Sequence, residues 1–244
     1  MNNKDTARSH YLEALGVQAW VRRAPRAAAP APGAAQQDMP ARQPKAENAA
    51  ALTAQDILRM DWRALEQTVR VCTRCRLYQT RTQTVFGVGD RRAEWMVIGE
   101  APGAEEDRQG EPFVGRAGQL LNAMLKAIGL EREQVYIANI LKSRPPNNRD
   151  PLPDEVAACE PYLMRQIQLV QPKIILAVGR IAAQNLLKTD TKIGQLRGNR
   201  HTYPGTDIPL VVTYHPAYLL RAPAEKRKAW EDLKFARKVL RGEA

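Results

Sequence analysis

The sequence predicts an α/β fold, three layers deep, with helices on both faces of a central, mainly parallel sheet of about four strands. Two observations carry this. Four short β-like runs, Trp95-MVI, Val135-YIAN, Lys173-IILAV and Pro209-LVVTY, recur along the chain. Between them lie helical stretches, Ala117-GQLLNAMLKAIG, Asp154-EVAACEPYLMRQIQLV and Arg180-IAAQNLL, with a last one from Ala224 to Leu240. Strands separated by helices imply right-handed βαβ units and parallel pairing.

The 244 residues suit one domain with a tail. From Ala24 to Ala50, Ala, Pro and Gly supply 17 of 27 residues, with no aromatic or β-branched side chain. Such a segment cannot offset its ordering entropy by burial and reads as a disordered linker over 24–50. It tethers one short amphipathic helix within 1–23, carried by Tyr11, Leu12, Leu15 and Trp20; its partner is unknown. The globular part is expected over 51–244. Thr53 with Asp56 makes a helix start ahead of Ile57, Leu58, Trp62, Leu65 and Val69.

Charge and cysteine usage narrow the function. The formal charge is +11 and the three cysteines exclude a disulfide scaffold. No apolar run approaches the roughly 18–20 residues of a membrane span, so no membrane partner and a cytoplasmic, bacterial-type setting are expected. Between Asn139 and Arg200 stand ten basic residues against five acidic ones, and Arg221 to Arg241 adds a second basic cluster. A nucleic-acid partner fits this excess, as does a merely solvated basic surface.

In parallel α/β folds the chemistry sits beyond the carboxyl ends of the strands. After the first run comes Gly99-EAPGAEEDRQGEPFVGRAGQLL, with five glycines between Gly99 and Gly118, so backbone amides can approach a ligand closely. Glu100 stands at the strand end, and Glu105, Glu106 and Asp107 add carboxylates, which also read as a solvated helix start. Phe113 lies among polar residues and glycines, as a stacking platform or a core residue. Asn139 tips the second strand and His215, ahead of Pro216, tips the last.

The motifs Cys72-TRC, Gly99-EAPG, Glu111-PFVGRAGQLL, Asn139 followed by Lys142-SRPP and Asn148-RDPLPDEVAAC, Leu176-AVGRIAA and His215-PA occur in this order. Together they resemble the type-4 uracil-DNA glycosylases, iron–sulfur members of the uracil-DNA glycosylase superfamily, over roughly Val71 to Leu240. The resemblance implies hydrolysis of the bond between uracil and deoxyribose in single- or double-stranded DNA, by a monomer, leaving an abasic site without strand cleavage. It implies a base pocket at Gly99, Ala101, Phe113 and Asn139. His215 would stabilise the leaving uracil anion, and Glu100 the cationic sugar or the water. Relatives in other families carry aspartate where this chain has Ala101, which leaves Glu106 as a second candidate carboxylate. DNA contacts are expected from Arg144, Arg149 and Arg221, with Leu219 or Leu220 as a wedge, the alternative for the leucines being packing under the last helix.

The family's 4Fe-4S cluster uses four cysteines. Cys72, Cys75 and Cys159 match three of them, and Ser143 stands where the other is expected. Three outcomes are open: a cluster retained on three thiolates with or without serine oxygen, zinc with a histidine from His10 or His201, or no metal. The alternative to an enzyme is a DNA-binding protein of the same fold with weak or absent catalysis and an impaired metal site.

Overall fold

The computed structural model describes residues 52–243; the helix expected within 1–23 and the linker over 24–50 lie outside the described residues. Alternation along each apolar run sends successive side chains to opposite faces of the sheet. Met96, Ile98, Tyr136, Ala138, Ile175, Ala177, Leu210 and Val212 enter one core, while Val97, Ile137, Ile174, Leu176, Val178 and Val211 enter the other. Both faces are thus buried, which is why the runs read as continuously apolar.

The strands are β1 (Val88–Gly89), β2 (Trp95–Gly99), β3 (Tyr136–Asn139), β4 (Ile174–Val178), β5 (Arg200–Thr202) and β6 (Pro209–Thr213), in the sheet order β1-β3-β2-β4-β6-β5. β3, β2, β4 and β6 are parallel, the four expected, and antiparallel β1 and β5 border them. Those two borders were not foreseen, because a two-residue strand and the largely exposed Arg-His-Thr of β5 carry no apolar run. The order reverses between β2 and β4, whose carboxyl ends form the switch-point crevice where ligands sit in such sheets.

The helices are α1 (Ala54–Leu58), α2 (Trp62–Arg70), α3 (Ala104–Gln109), α4 (Arg116–Ala127), α5 (Pro153–Val170), α6 (Arg180–Leu187), α7 (Ile193–Leu196), α8 (Pro216–Arg221) and α9 (Lys226–Arg241). Leu163 and Ile167 of α5 and Ala183 and Leu186 of α6 cover one face of the sheet. Leu121 and Leu125 of α4 and Leu233 and Ala236 of α9 cover the other, completing the three layers. Thr53 and Asp56 form the expected capping box. Asp61 then caps a new helix, its side chain accepting from the Ala64 amide at 2.8 Å, so one expected helix is two. Among the described residues, no helix is long and apolar enough to cross a membrane.

Candidate active site

An open cleft of about 760 Å³ lies at the switch point, lined among others by Glu100, Glu106, Phe113, Asp150, Arg180 and His215. Gly99 ends β2 and Asn139 ends β3, paired in register. A Cβ on Gly99 would stand 2.5 Å from Asn139 Oδ1 and 2.6 Å from Phe113 Cζ. Only a residue without a side chain fits between Asn139 and Phe113. Asn139 is 2% exposed, and its Oδ1 is buried without a hydrogen-bond partner. An orphaned buried acceptor costs about 1–3 kcal/mol, a strain that a ligand N–H would relieve.

Phe113 is held in a conformation an aromatic residue avoids, with φ of 54°. Three contacts impose it. Glu106 Oε1 accepts from the amides of Val114 at 3.0 Å and Gly115 at 3.1 Å, while its Oε2 accepts from Gly103 at 3.1 Å. Arg132 donates to the carbonyls of Pro112 at 2.5 Å and Phe113 at 3.3 Å. Gly118 lets the Phe113 carbonyl approach to 1.8 Å from where its Cβ would be. The phenyl centroid lies 5.6 Å from that of the His215 imidazole. Both Glu106 oxygens accept from backbone amides, three bonds against about four lone-pair sites, so this candidate carboxylate braces the loop under Phe113 while lining the cleft.

His215 follows β6 and caps α8, its Nδ1 accepting from the Ala217 amide at 3.1 Å. A neutral imidazole so engaged carries its proton on Nε2. Burial first, then the Arg221 cation, hold its pKa down to about 4, against a smaller opposing pull from Glu106. The ring is therefore neutral at physiological pH. Glu100 moves the other way: burial, then the Asp150 carboxylate, raise it to about 7, with Arg180 offsetting part of the rise. Asp150 pairs with Arg180 at 2.6 Å across the mouth of the cleft. The Ala101 side chain packs against the core, so no carboxylate exists at that position.

Sequence reasoning missed the support beneath Asn139. Lys142 is fully buried, its Nζ donating to the Asn139 carbonyl at 2.9 Å and to Gln166 Oε1 at 2.6 Å, and burial pushes its pKa down to about 7. Gln166 Nε2 in turn donates to the Phe86 carbonyl at 2.9 Å and Tyr136 Oη at 3.0 Å. A Gln on the apolar face of α5 was the available signal. Arg132 carried none, and Asp150 and Arg180 stood only inside the motifs Asn148-RDPLPDEVAAC and Leu176-AVGRIAA, their pairing being set by distant loops.

Around the rim, Arg221 and Leu220 are exposed. Leu219 is 1% exposed and packs in the core with Leu121 and Leu233, which corrects its expected wedge role: a side chain committed to the core cannot enter a duplex. Arg149 makes a bidentate pair with buried Glu155 at 2.6 and 2.9 Å, which anchors the loop and occupies the guanidinium expected to meet DNA. Arg144 donates to Asn148 Oδ1 at 2.8 Å.

Of the expected metal ligands, the Cys75 thiol is held down, to about 6, by its neighbour Cys159, while Cys75 and burial raise Cys159. Tyr162 Oη donates to Cys72 Sγ at 3.3 Å, and Arg81 Nη1 donates to Ser143 Oγ at 2.9 Å. His201 Nε2 bonds the Leu196 carbonyl at 2.8 Å, and His10 lies outside the described residues. Among the described residues, no three His, Cys, Asp or Glu side chains form a metal-holding group. Three thiols and a hydroxyl that serves a cation do not supply the four thiolates such a cluster takes, and His201 is engaged with a carbonyl instead of completing a zinc site.

The sequence pattern of the uracil DNA glycosylase superfamily matches residues 86–234. The chain is similar to the type-4 uracil-DNA glycosylase of Archaeoglobus fulgidus, 46% identical over 67% of this chain and 85% of that protein. It is 44% identical to the type-4 enzyme of Sulfurisphaera tokodaii over 72% of this chain and 83% of that one. The corresponding figures for the type-4 enzyme of Thermotoga maritima are 40%, 73% and 94%.

Proposed function

The chain belongs to the uracil DNA glycosylase superfamily and excises uracil from DNA by hydrolysing the N-glycosyl bond, and we propose that Glu100, Phe113, Asn139 and His215 carry that reaction. The orphaned Oδ1 of Asn139 beside the phenyl of Phe113 supports this assignment most directly. A flipped-out uracil stacks on Phe113, which replaces the stacking its neighbours in the strand provided. Its N3–H donates to Asn139 Oδ1, and the same amide donates to O4; cytosine presents the reverse pattern and is rejected. Lys142 anchors the Asn139 backbone beneath the pocket.

Bond cleavage leaves positive charge on the sugar and negative charge on uracil O2. Neutral His215, with its proton on Nε2, donates to O2 and stabilises the anion without prior protonation of the base. Ionised Glu100 stabilises the cationic sugar and orients the attacking water. Among the described residues no lysine lines the cleft, and Lys142 is spent on two hydrogen bonds, which supports a monofunctional hydrolase without an imine intermediate.

Residues 51–244 form the catalytic domain in this reading, a monomer acting on single- and double-stranded DNA. Arg144 and Arg221 meet phosphates and exposed Leu220 fills the gap left by the base. Single-turnover release of free uracil from a uracil-containing oligonucleotide tests the reading. Release leaving an intact strand with an abasic site is expected; DNA binding without release would return the chain to the non-catalytic alternative.

A further inference from the structure

We propose that Arg81 fastens the loops of the three-cysteine site through Ser143 and the Cys72 carbonyl, and that the chain folds without an iron–sulfur cluster. Family membership supplies only the place where a cluster would sit; the catalytic assignment does not enter.

Two donors of the would-be site already have partners. Cys72 Sγ accepts from Tyr162 Oη at 3.3 Å. Ser143, 3% exposed, accepts from Arg81 Nη1 at 2.9 Å, while Arg81 Nη2 donates to the Cys72 carbonyl at 2.6 Å. One planar guanidinium thus spans the strand of chain before α5 and the turn carrying Cys72, with the fixed fork geometry that suits arginine to such bridging.

Arg81 is itself anchored. Its amide bonds the Leu77 carbonyl at 3.1 Å, and the next residue, Thr82, donates its amide to both oxygens of buried Asp107 at 2.9 and 3.0 Å. The clasp therefore joins three separate segments, the structural task a cluster performs with four thiolates. Binding iron at Ser143 would require a weakly acidic hydroxyl to become a ligand while a cation donates to it. Iron and guanidinium would compete for the lone pairs of that one oxygen, and Arg81 already holds it at 2.9 Å.

The test uses the full chain purified without oxygen, assayed for iron and acid-labile sulfide, and melted with and without a chelator. Three variants complete it: Arg81→Met, Ser143→Ala and the double substitution. Substoichiometric iron, colourless protein and a chelator-insensitive Tm are expected. Arg81→Met should lower Tm by about 4–8 °C and Ser143→Ala by about 2–4 °C, and the double variant should melt no lower than Arg81→Met. If Arg81→Met fails to fold, the milder Ser143→Ala and the chelator arm still decide. About four irons per chain, a chelator-induced fall in Tm, or additive losses in the double variant would each overturn the clasp. Uracil release from the same preparations is scored separately, so iron-free, clasp-dependent but inactive protein would count against the catalytic reading alone.

Discussion

Replacing Glu100 by Gln should stabilise the fold and disable the enzyme at once, with the first effect present only at high pH. Burial and the neighbouring Asp150 carboxylate raise Glu100 from the usual 4.5 to about 7, so its charged form is penalised in the folded state. A carboxyl whose folded pKa lies above its unfolded value costs stability progressively as pH rises from the unfolded pKa. The cost is complete above the folded one and absent below both. The gap corresponds to an upper bound of about 3 kcal/mol. Because the side chain lines an open cleft, solvent screening leaves about 1–2 kcal/mol. For a domain of this size that is about 2–8 °C in Tm. Calorimetry of both proteins at about pH 8 and about pH 4 reads it directly: Glu100→Gln should melt higher at the alkaline value and equally at the acid one. Excision should fall about 10²–10³-fold at the alkaline value, since an amide can neither orient the water as a base nor stabilise the cationic sugar. A variant that melts lower at both pH values would refute the electrostatics, and one that keeps full activity would refute the role.

In the native enzyme, the single-turnover rate should rise about tenfold per pH unit below about 7 as Glu100 ionises, then level off, with no inflection from His215 between about pH 5 and 9; stopped time courses across that range check it. Gly99→Ala places a methyl against Asn139 Oδ1 and Phe113, and should cut kcat/KM about 100-fold while Tm falls by only a few degrees. The two leucines beyond His215 should separate cleanly. Leu219→Ala empties core space and should cost about 2–5 kcal/mol in urea unfolding. Leu220→Ala should leave stability unchanged and slow excision from duplex more than from single-stranded DNA.

The legible parts of this molecule are those written in local periodicity. Ile174 to Val178 and Pro209 to Thr213 are apolar on both faces, so strand and burial could be read together, and the residue after each strand could be located. That is how Glu100, Asn139 and His215, distant in sequence, were brought to one edge. The break between α1 and α2 was harder to see, because Arg59, Met60 and Asp61 lie inside an otherwise continuous apolar spacing and Asp61 acts as a cap only once the helix has stopped. Long-range polar pairings were invisible. Lys142 reads as one more basic residue, yet it is buried under Asn139. Glu106 reads as a candidate carboxylate, and its bracing of the loop of Phe113 through three backbone amides could not be seen. Leu219 and Leu220 are indistinguishable by type, and the phase of a single helical turn decides which one faces the core.

The assignment of the pocket is tested most directly by measuring single-turnover excision and DNA affinity together for Asn139→Ala and His215→Ala. If Asn139 reads the base and His215 stabilises the departing anion, each rate should fall by about 10²–10³-fold while affinity for the uracil-containing duplex changes by only a few fold. Parallel loss of rate and affinity, or a rate that survives either substitution, would contradict the account.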